Sequence, residues 1–136
     1  MLAFRIGGET HEFVLVEIMG SNSDGWISGQ VKVQVGGFEG EFPADFNSWA
    51  FSDFRNQLGR LYELLSGTAI FTSYEKQLEL RLDGNGRGQI ALRGEAMDYA
   101  GTGNKLAFRL DIDQTHLPQI LKDLDAALEL YPARAV

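Results

Sequence analysis

The sequence predicts an α+β domain in which a single antiparallel sheet of about six to seven strands packs on one long central helix, with a second helix at the C-terminus. Three observations lead to this prediction: one long helical stripe in the middle of the chain, strand-like alternation on both sides of it, and short glycine-rich connections. The chain has 136 residues, of which 44% are hydrophobic and 23% charged, so we expect residues 1–136 to form one domain.

The central helix is predicted over residues 47–66. Its apolar residues recur at intervals of three and four positions, which places them on one helix face. These residues are Phe51, Phe54, Leu58, Leu61 and Leu65. Asn47 or Ser48 is suited to cap the N-terminus, and Gly67 is suited to end the helix in the left-handed conformation. At about 1.5 Å per residue the helix is roughly 30 Å long and crosses a small sheet, so we expect Leu58 at the centre of the core.

Alternation of apolar and polar residues predicts strands on both sides of this helix. Residues 26–35 alternate cleanly, and Gly36-Gly37 provides a two-residue hairpin turn into a strand in which we expect Phe38 and Phe42 to point inward. Further strand-like segments lie at residues 2–6, 11–18, 68–72, 77–82, 89–96 and 105–112. An amphipathic pattern over residues 115–131 predicts the closing helix, with Asp113 or Thr115 as its cap.

The composition limits the kinds of protein that this chain can be. It contains no cysteine, which excludes disulfides and thiolate metal sites and fits a reducing cytoplasm. Its N-terminus lacks the pattern of a signal peptide, and no apolar segment is long enough to span a bilayer. We therefore expect a cytoplasmic protein that does not associate with membranes.

The formal charge of −7 is concentrated towards the two ends of the chain. One acidic group consists of Glu9, Glu12, Asp24, Glu39 and Glu41, and the other of Asp123, Asp125 and Glu129. An acidic protein repels the nucleic-acid backbone and attracts basic partners, although a solvated acidic surface with no partner explains the same charges. We expect no direct binding to nucleic acid.

No motif in the sequence predicts catalysis, a metal or a cofactor. His11 and His116 have no neighbouring acids at metal-ligand spacing. The glycine-rich loop of residues 83–88 lacks the lysine of a phosphate-binding loop, and Arg87 stands where a calcium loop needs an oxygen ligand. A hairpin turn is therefore the better interpretation of this loop, and we expect neither an enzyme nor a cofactor.

Several passages between residues 25 and 132 together resemble one protein family. They are FPAD (42–45), FRNQL (54–58), LSGTA (65–69), DGNGRGQI (83–90), RGEA (93–96), GNKLAF (103–108) and DQTHL (113–117). In order and spacing they are similar to the WapI-type bacterial immunity proteins. The shared positions are mostly turn glycines and core apolar residues, so the family pattern supplies no functional residues to transfer.

The resemblance implies a non-enzymatic immunity protein that binds and neutralises a cognate toxin domain. If the toxin acts on nucleic acid its surface is basic, and an acidic surface on the inhibitor would speed and orient association. We therefore predict a partner-binding surface that contains Asp24, Glu39 and Glu41, with Trp26 as an aromatic anchor. The alternative hypothesis is a small-molecule-binding or catalytic domain with a pocket between the sheet and the central helix.

Overall fold

The computed structural model describes residues 1–8 and 11–133, so Glu9 lies outside the described residues. The described part contains eight strands, two α-helices and two short 3-10 turns, at residues 74–76 and 114–116. In chain order the longer elements are β1 (Leu2–Gly7), β2 (Phe13–Ser21), β3 (Trp26–Val35), β4 (Phe38–Asn47), α1 (Ser48–Leu64), β5 (Ser66–Thr72), β6 (Leu78–Asn85), β7 (Gln89–Met97), β8 (Lys105–Asp113) and α2 (Leu117–Leu130).

The prediction of a single sheet of six to seven strands is wrong. The strands form two separate four-stranded antiparallel sheets, in the orders β1-β2-β3-β4 and β5-β6-β7-β8. Within each sheet, every strand pairs with its neighbour in the chain. Helix α1 connects the two sheets, since it follows β4 of the first and precedes β5 of the second. The chain therefore consists of two successive units, each with four strands followed by a helix.

Helix α1 begins where it was predicted to begin but ends earlier than predicted. Asn47 occupies the N-cap position, although its side chain makes no capping hydrogen bond. Leu65, and not Gly67, takes the left-handed conformation at the C-terminus, with φ of 60°, and its N–H donates to the Leu61 carbonyl at 2.7 Å. The Leu65 carbonyl in turn accepts a bond from the Gly86 N–H at 2.8 Å. Strand β5 begins immediately afterwards, so the chain has to turn before it reaches Gly67.

The apolar stripe of α1 packs into the main core as predicted, apart from Leu65, which is only half-buried. Leu58 is completely buried, and Phe51 and Phe54 contribute two rings to an aromatic cluster. Phe71 on β5 is the centre of that cluster. Its ring centroid lies 5.2 to 5.7 Å from four others, which belong to Phe4, Phe46, Phe51 and Phe54. Because these rings come from both sheets and from α1, the cluster joins the two units.

Gln77 makes a second, polar connection between the units. Its side chain is buried, and its amide nitrogen donates to the Pro43 carbonyl on β4 at 2.9 Å and to the Met97 carbonyl on β7 at 3.2 Å. Strand β4 lies at the edge of the first sheet, so this amide satisfies a backbone acceptor that strand pairing leaves free.

Helix α2 packs on α1 and β1 and closes the fold. It begins at Leu117, two residues later than predicted, and its N-cap position is held by His116 without a side-chain cap. Asp113 instead caps the 3-10 turn before it, because its carboxylate accepts from the Thr115 N–H at 2.9 Å and also from the Thr115 hydroxyl. Arg55 on α1 pairs with Asp125 on α2 at 2.7 Å. No helix in the described ranges is both long and apolar enough to cross a membrane.

Candidate functional site

The outward face of the β3–β4 hairpin carries a line of acidic side chains. Along β4, buried and exposed residues alternate, and the exposed positions include Glu39, Glu41 and Asp45. We call this surface, together with Asp24 and Trp26, the acidic face. Because β4 is an edge strand, these carboxylates stand at the border of the first sheet, on its outward face.

One basic residue of β3 lies within this surface. Lys32 pairs in register with Glu41, and its amino group is 3.9 Å from the Glu39 carboxylate. This distance is long for an ion pair, and both side chains are substantially exposed, so the contact neutralises the surface only weakly. Glu41 and Asp45 have no ion-pair partner within the described ranges. Most of the negative charge along β4 therefore remains available.

Trp26 lies at the opposite end of the hairpin from Glu39 and Glu41. It pairs in register with Asn47, six positions along β4 from Glu41, which corresponds to roughly 20 Å. The Trp26 ring packs edge-on against Tyr74, with centroids 4.7 Å apart and planes at 79°. Trp26, Glu39 and Glu41 thus share the outward face of the first sheet, but Trp26 lies at one end of the hairpin and the two glutamates at the other, while Asp24 lies in the exposed loop before Trp26.

The loop that carries Asp24 is held next to Trp26 by Asn22. The Asn22 side-chain oxygen accepts from the Asp24 N–H at 3.0 Å and from the Trp26 N–H at 3.1 Å. A shallow depression of about 380 Å³ lies beside this loop and is lined by Gly20, Ser21, Asn22, Trp26, Ser28 and Asp45. The depression therefore combines the Trp26 ring with the Asp45 carboxylate of β4, and Asp24 lies in the exposed loop next to it.

Two members of this surface were missed in the sequence. Asp45 could have been found, because it lies four positions after Glu41 and therefore on the same strand face as Glu39 and Glu41. Tyr74 could not, because it lies in the turn between β5 and β6, and only the folded chain brings it to Trp26. Phe38 was predicted to point inward but is 65% exposed, since it lies at the hairpin end beyond the core.

The structure does not favour the alternative pocket between sheet and helix. The space beside α1 is filled by completely or almost completely buried side chains, including Phe51, Phe54 and Leu58. Larger depressions lie on outer surfaces, such as one of about 580 Å³ lined partly by Asp83, Asp111, Asp113 and His116. Within residues 1–8 and 11–133, no group of three or more His, Cys, Asp or Glu side chains is arranged to hold a metal ion.

The acidic groups whose pKa is lowered all have local structural explanations. The Thr68 hydroxyl donates to Asp83 at 2.5 Å, and this bond, with help from Arg81, lowers the pKa of the Asp83 carboxyl. Hydrogen bonds from Asn104 lower the pKa of Asp98, and those from Thr115 lower the pKa of Asp113. Each of these carboxylates braces a strand pair, a turn or a helix start, so the shifts do not indicate an acid or base poised for catalysis.

The described residues form an α+β fold of two four-stranded antiparallel sheets and two helices, with exposed carboxylates along β4. The model of the WapI-like immunity protein family matches residues 3–132, and the chain belongs to that family. The chain is also similar to a protein in crystal structures of Trypanosoma brucei MRP1/MRP2, with 11% identity over 86% of this chain and 74% of the other, at a TM-score of 0.49. No curated protein matches the sequence.

Proposed function

We propose that this protein is an immunity protein that neutralises a cognate toxin domain by binding it, without catalysing a reaction. The observation that carries the proposal is the family match over residues 3–132. The filled interior next to α1 also supports a protein that works through its surface. Its place of action is the cytoplasm of the toxin-producing cell, which agrees with the absence of cysteine from the sequence.

The acidic face is the proposed toxin-binding surface. The second acidic group, on α2, is already partly engaged within the chain, since Asp125 pairs with Arg55 and Asp123 accepts from Gln119 at 3.0 Å. Glu41 and Asp45 have no such partners in the described part of the chain. The acidic face also offers Trp26 and Tyr74, and aromatic side chains are enriched among residues that dominate binding energy.

The proposed partner is a basic toxin domain. A toxin that acts on nucleic acid needs positive charge to attract phosphate, and a carboxylate surface on the inhibitor would match it. The net charge of −7 increases the attraction at long range, while the line of carboxylates on β4 orients the encounter. Asp24 and Trp26 would then contact the toxin at the other end of the hairpin.

Co-purification from the native host tests the proposed function directly. The protein is isolated at low salt, and whatever remains bound is identified by mass spectrometry. Recovery of a basic toxin domain whose activity falls as the complex forms is the expected result. Repeated recovery of no toxin domain under conditions in which the host makes its toxins would contradict the proposal.

Charge reversal tests the proposed surface. The double variant Glu39→Lys/Glu41→Lys should slow association with the recovered toxin by about tenfold or more and reduce its dependence on salt. Trp26→Leu should mainly speed dissociation, because it removes an anchor and no charge. The single variant Glu41→Lys should also slow association, and Glu129→Lys on α2, its matched control with the same change of net charge, should have a smaller effect. Unchanged association kinetics in the double variant would remove this surface from consideration while leaving the toxin-binding function itself standing.

A further inference from the structure

The outward face of the second sheet carries charged residues in rows that run across the strands. Arg81 on β6 pairs in register with Arg93 on β7, which pairs with Arg109 on β8. On one side of this arginine row, Glu79 pairs with Glu95. On the other side, Asp83 and Asp111 both lie opposite Ala91. We call this outward surface of β6, β7 and β8 the striped face.

Like charges directly opposite one another destabilise an antiparallel sheet, so an unscreened arginine row is unfavourable in the isolated protein. Two ion pairs within the chain relieve the repulsion only in part. Arg81 pairs with Asp83 at 3.0 Å, and Lys105 pairs with Glu95 at 3.0 Å, and all four side chains are well exposed. Arg93 and Arg109 have no ion-pair partner in the parts of the chain that the structure describes.

The striped face is nearly balanced in charge, in contrast to the rest of the molecule. It carries four basic and five acidic residues, a net charge of −1. The basic residues are Arg81, Arg93, Lys105 and Arg109, and the acidic ones are Glu79, Asp83, Glu95, Asp111 and Asp113. Of the full charge of −7, −6 therefore lies elsewhere, and elsewhere two copies of the chain repel each other more strongly. Self-repulsion is weakest where two striped faces meet.

The shape of the striped face leaves space for the side chains of a second surface packed against it. A depression of about 500 Å³ runs between the arginine row and the glutamate row, and its lining includes Glu79, Arg81, Arg93, Glu95, Ala107 and Arg109. Small side chains, Ala91 and Ala107, alternate with the charged ones. This leaves room for long side chains of a facing sheet.

We propose that the striped face binds a second copy of this chain in a two-fold symmetric dimer. If the two-fold axis runs along the depression, the arginine row of one copy lies over the glutamate row of the other. Arg81 then faces Glu79 of the partner subunit, and Arg93 faces the partner's Glu95. Asp111 of each copy faces the partner's Lys105. By symmetry each of these contacts occurs twice. The ion pairs within each chain break so that the same side chains can pair with the partner subunit, and this costs little because exposed ion pairs are weak.

The size of the face sets the expected strength of the dimer. Three strands about 4.8 Å apart and roughly 30 Å long give a footprint of roughly 15 by 30 Å. Two such footprints bury roughly 900 Å², well below the roughly 1,200–2,000 Å² of stable specific interfaces. The dimer is therefore weak and sensitive to salt. It forms on the second sheet and leaves the acidic face of the first sheet free, so it does not depend on the proposed toxin-binding function.

Sedimentation velocity of the full chain tests the proposal. At low salt the wild type should shift from monomer to dimer as its concentration rises to about 1 mM. At that concentration a dimer with a Kd of ~1 mM already contains about half of the chains. In about 1 M salt the dimer should disappear, because the screening length falls to about 3 Å. The charge-matched control variants Lys122→Glu and Glu129→Arg on α2 should behave like the wild type.

Charge exchange makes the test specific. Arg93→Glu and Glu95→Arg should each be monomeric, because each single change places like charges opposite one another across the two-fold axis. An equimolar mixture of the two single variants should form a heterodimer, and the double variant Arg93→Glu/Glu95→Arg should dimerise again. Both positions are exposed, and circular dichroism identical to that of the wild type confirms the fold. The proposal is overturned if the wild type stays monomeric, if the single variants dimerise as it does, or if neither the mixture nor the double variant associates.

Discussion

Replacing Phe71 with alanine should destabilise the protein more than most other single truncations in the core. The ring is completely buried and packs against four other aromatic rings, with centroids 5.2 to 5.7 Å away. Truncation of a buried Phe to Ala typically costs about 3–5 kcal/mol, from lost transfer free energy and from the cavity that remains. Here the surrounding rings belong to β1, β4 and α1, so the site cannot collapse easily. We therefore expect about 4–5 kcal/mol, a large part of the total stability of roughly 5–15 kcal/mol.

Urea denaturation followed by circular dichroism measures this loss. The urea midpoint should fall while the dependence of the unfolding free energy on urea stays unchanged, because the wild type and Phe71→Ala expose nearly the same surface on unfolding. Ile70→Ala is the matched control, since Ile70 is adjacent in the same strand but 39% exposed, and it should lose less than about 1 kcal/mol. A loss below about 1.5 kcal/mol for Phe71→Ala would refute the view that this ring joins the two sheets.

Three further variants test other parts of the structure. Leu58→Ala should cost roughly 2–5 kcal/mol in a thermal or urea melt, since Leu58 is completely buried, and no loss would contradict the packing of this face of α1 in the core. Gln77→Met should cost about 1–3 kcal/mol in the same assay, because it leaves two backbone carbonyls between the sheets without their donor, and a neutral result would show that water replaces the amide. Thr68→Val should raise the pKa of Asp83 towards its ordinary value in an NMR titration, since the hydroxyl bond is the main cause of the lowered pKa. Because the folded-state pKa of Asp83 is lowered, this group contributes stability that is present above its unfolded-state pKa and is lost as the pH falls through its folded-state pKa. Thr68→Val should therefore lose less stability on acidification than the wild type.

The sequence predicted the elements of this fold better than their arrangement. The three- and four-residue spacing around Leu58 located α1, and the alternation along residues 26–35 identified which side chains of β3 face the core. Alternation reports which face of a strand is buried but not which strand lies beside it. The separation of β4 from β5 into two sheets was therefore hidden, because both sheets show the same period-two pattern.

The positions of the candidate surface residues were predicted to the same extent, and their role in binding stays a prediction. Alternation placed Glu39 and Glu41 on one strand face, and the register confirms that Trp26 lies on the same side of the sheet. The distance of roughly 20 Å between Trp26 and Glu41 depends on the hairpin register, which the sequence indicated only through the position of its turn. Tyr74 approaches Trp26 through a contact between the two units, and such contacts leave no local trace in a sequence.

The pairing of every strand with its neighbour in the chain has a consequence for how the protein folds. All six strand ladders close short connections, so each meander can form with little loss of chain entropy. The contacts that join Phe4 to Phe71 are different, because they connect residues that are far apart in the chain and depend on both meanders. We therefore expect docking of the two units through the aromatic cluster to limit the folding rate. If the hairpins form before docking, variants within one hairpin should mainly slow folding, and contacts of the cluster that form after the transition state should show as faster unfolding in a chevron plot.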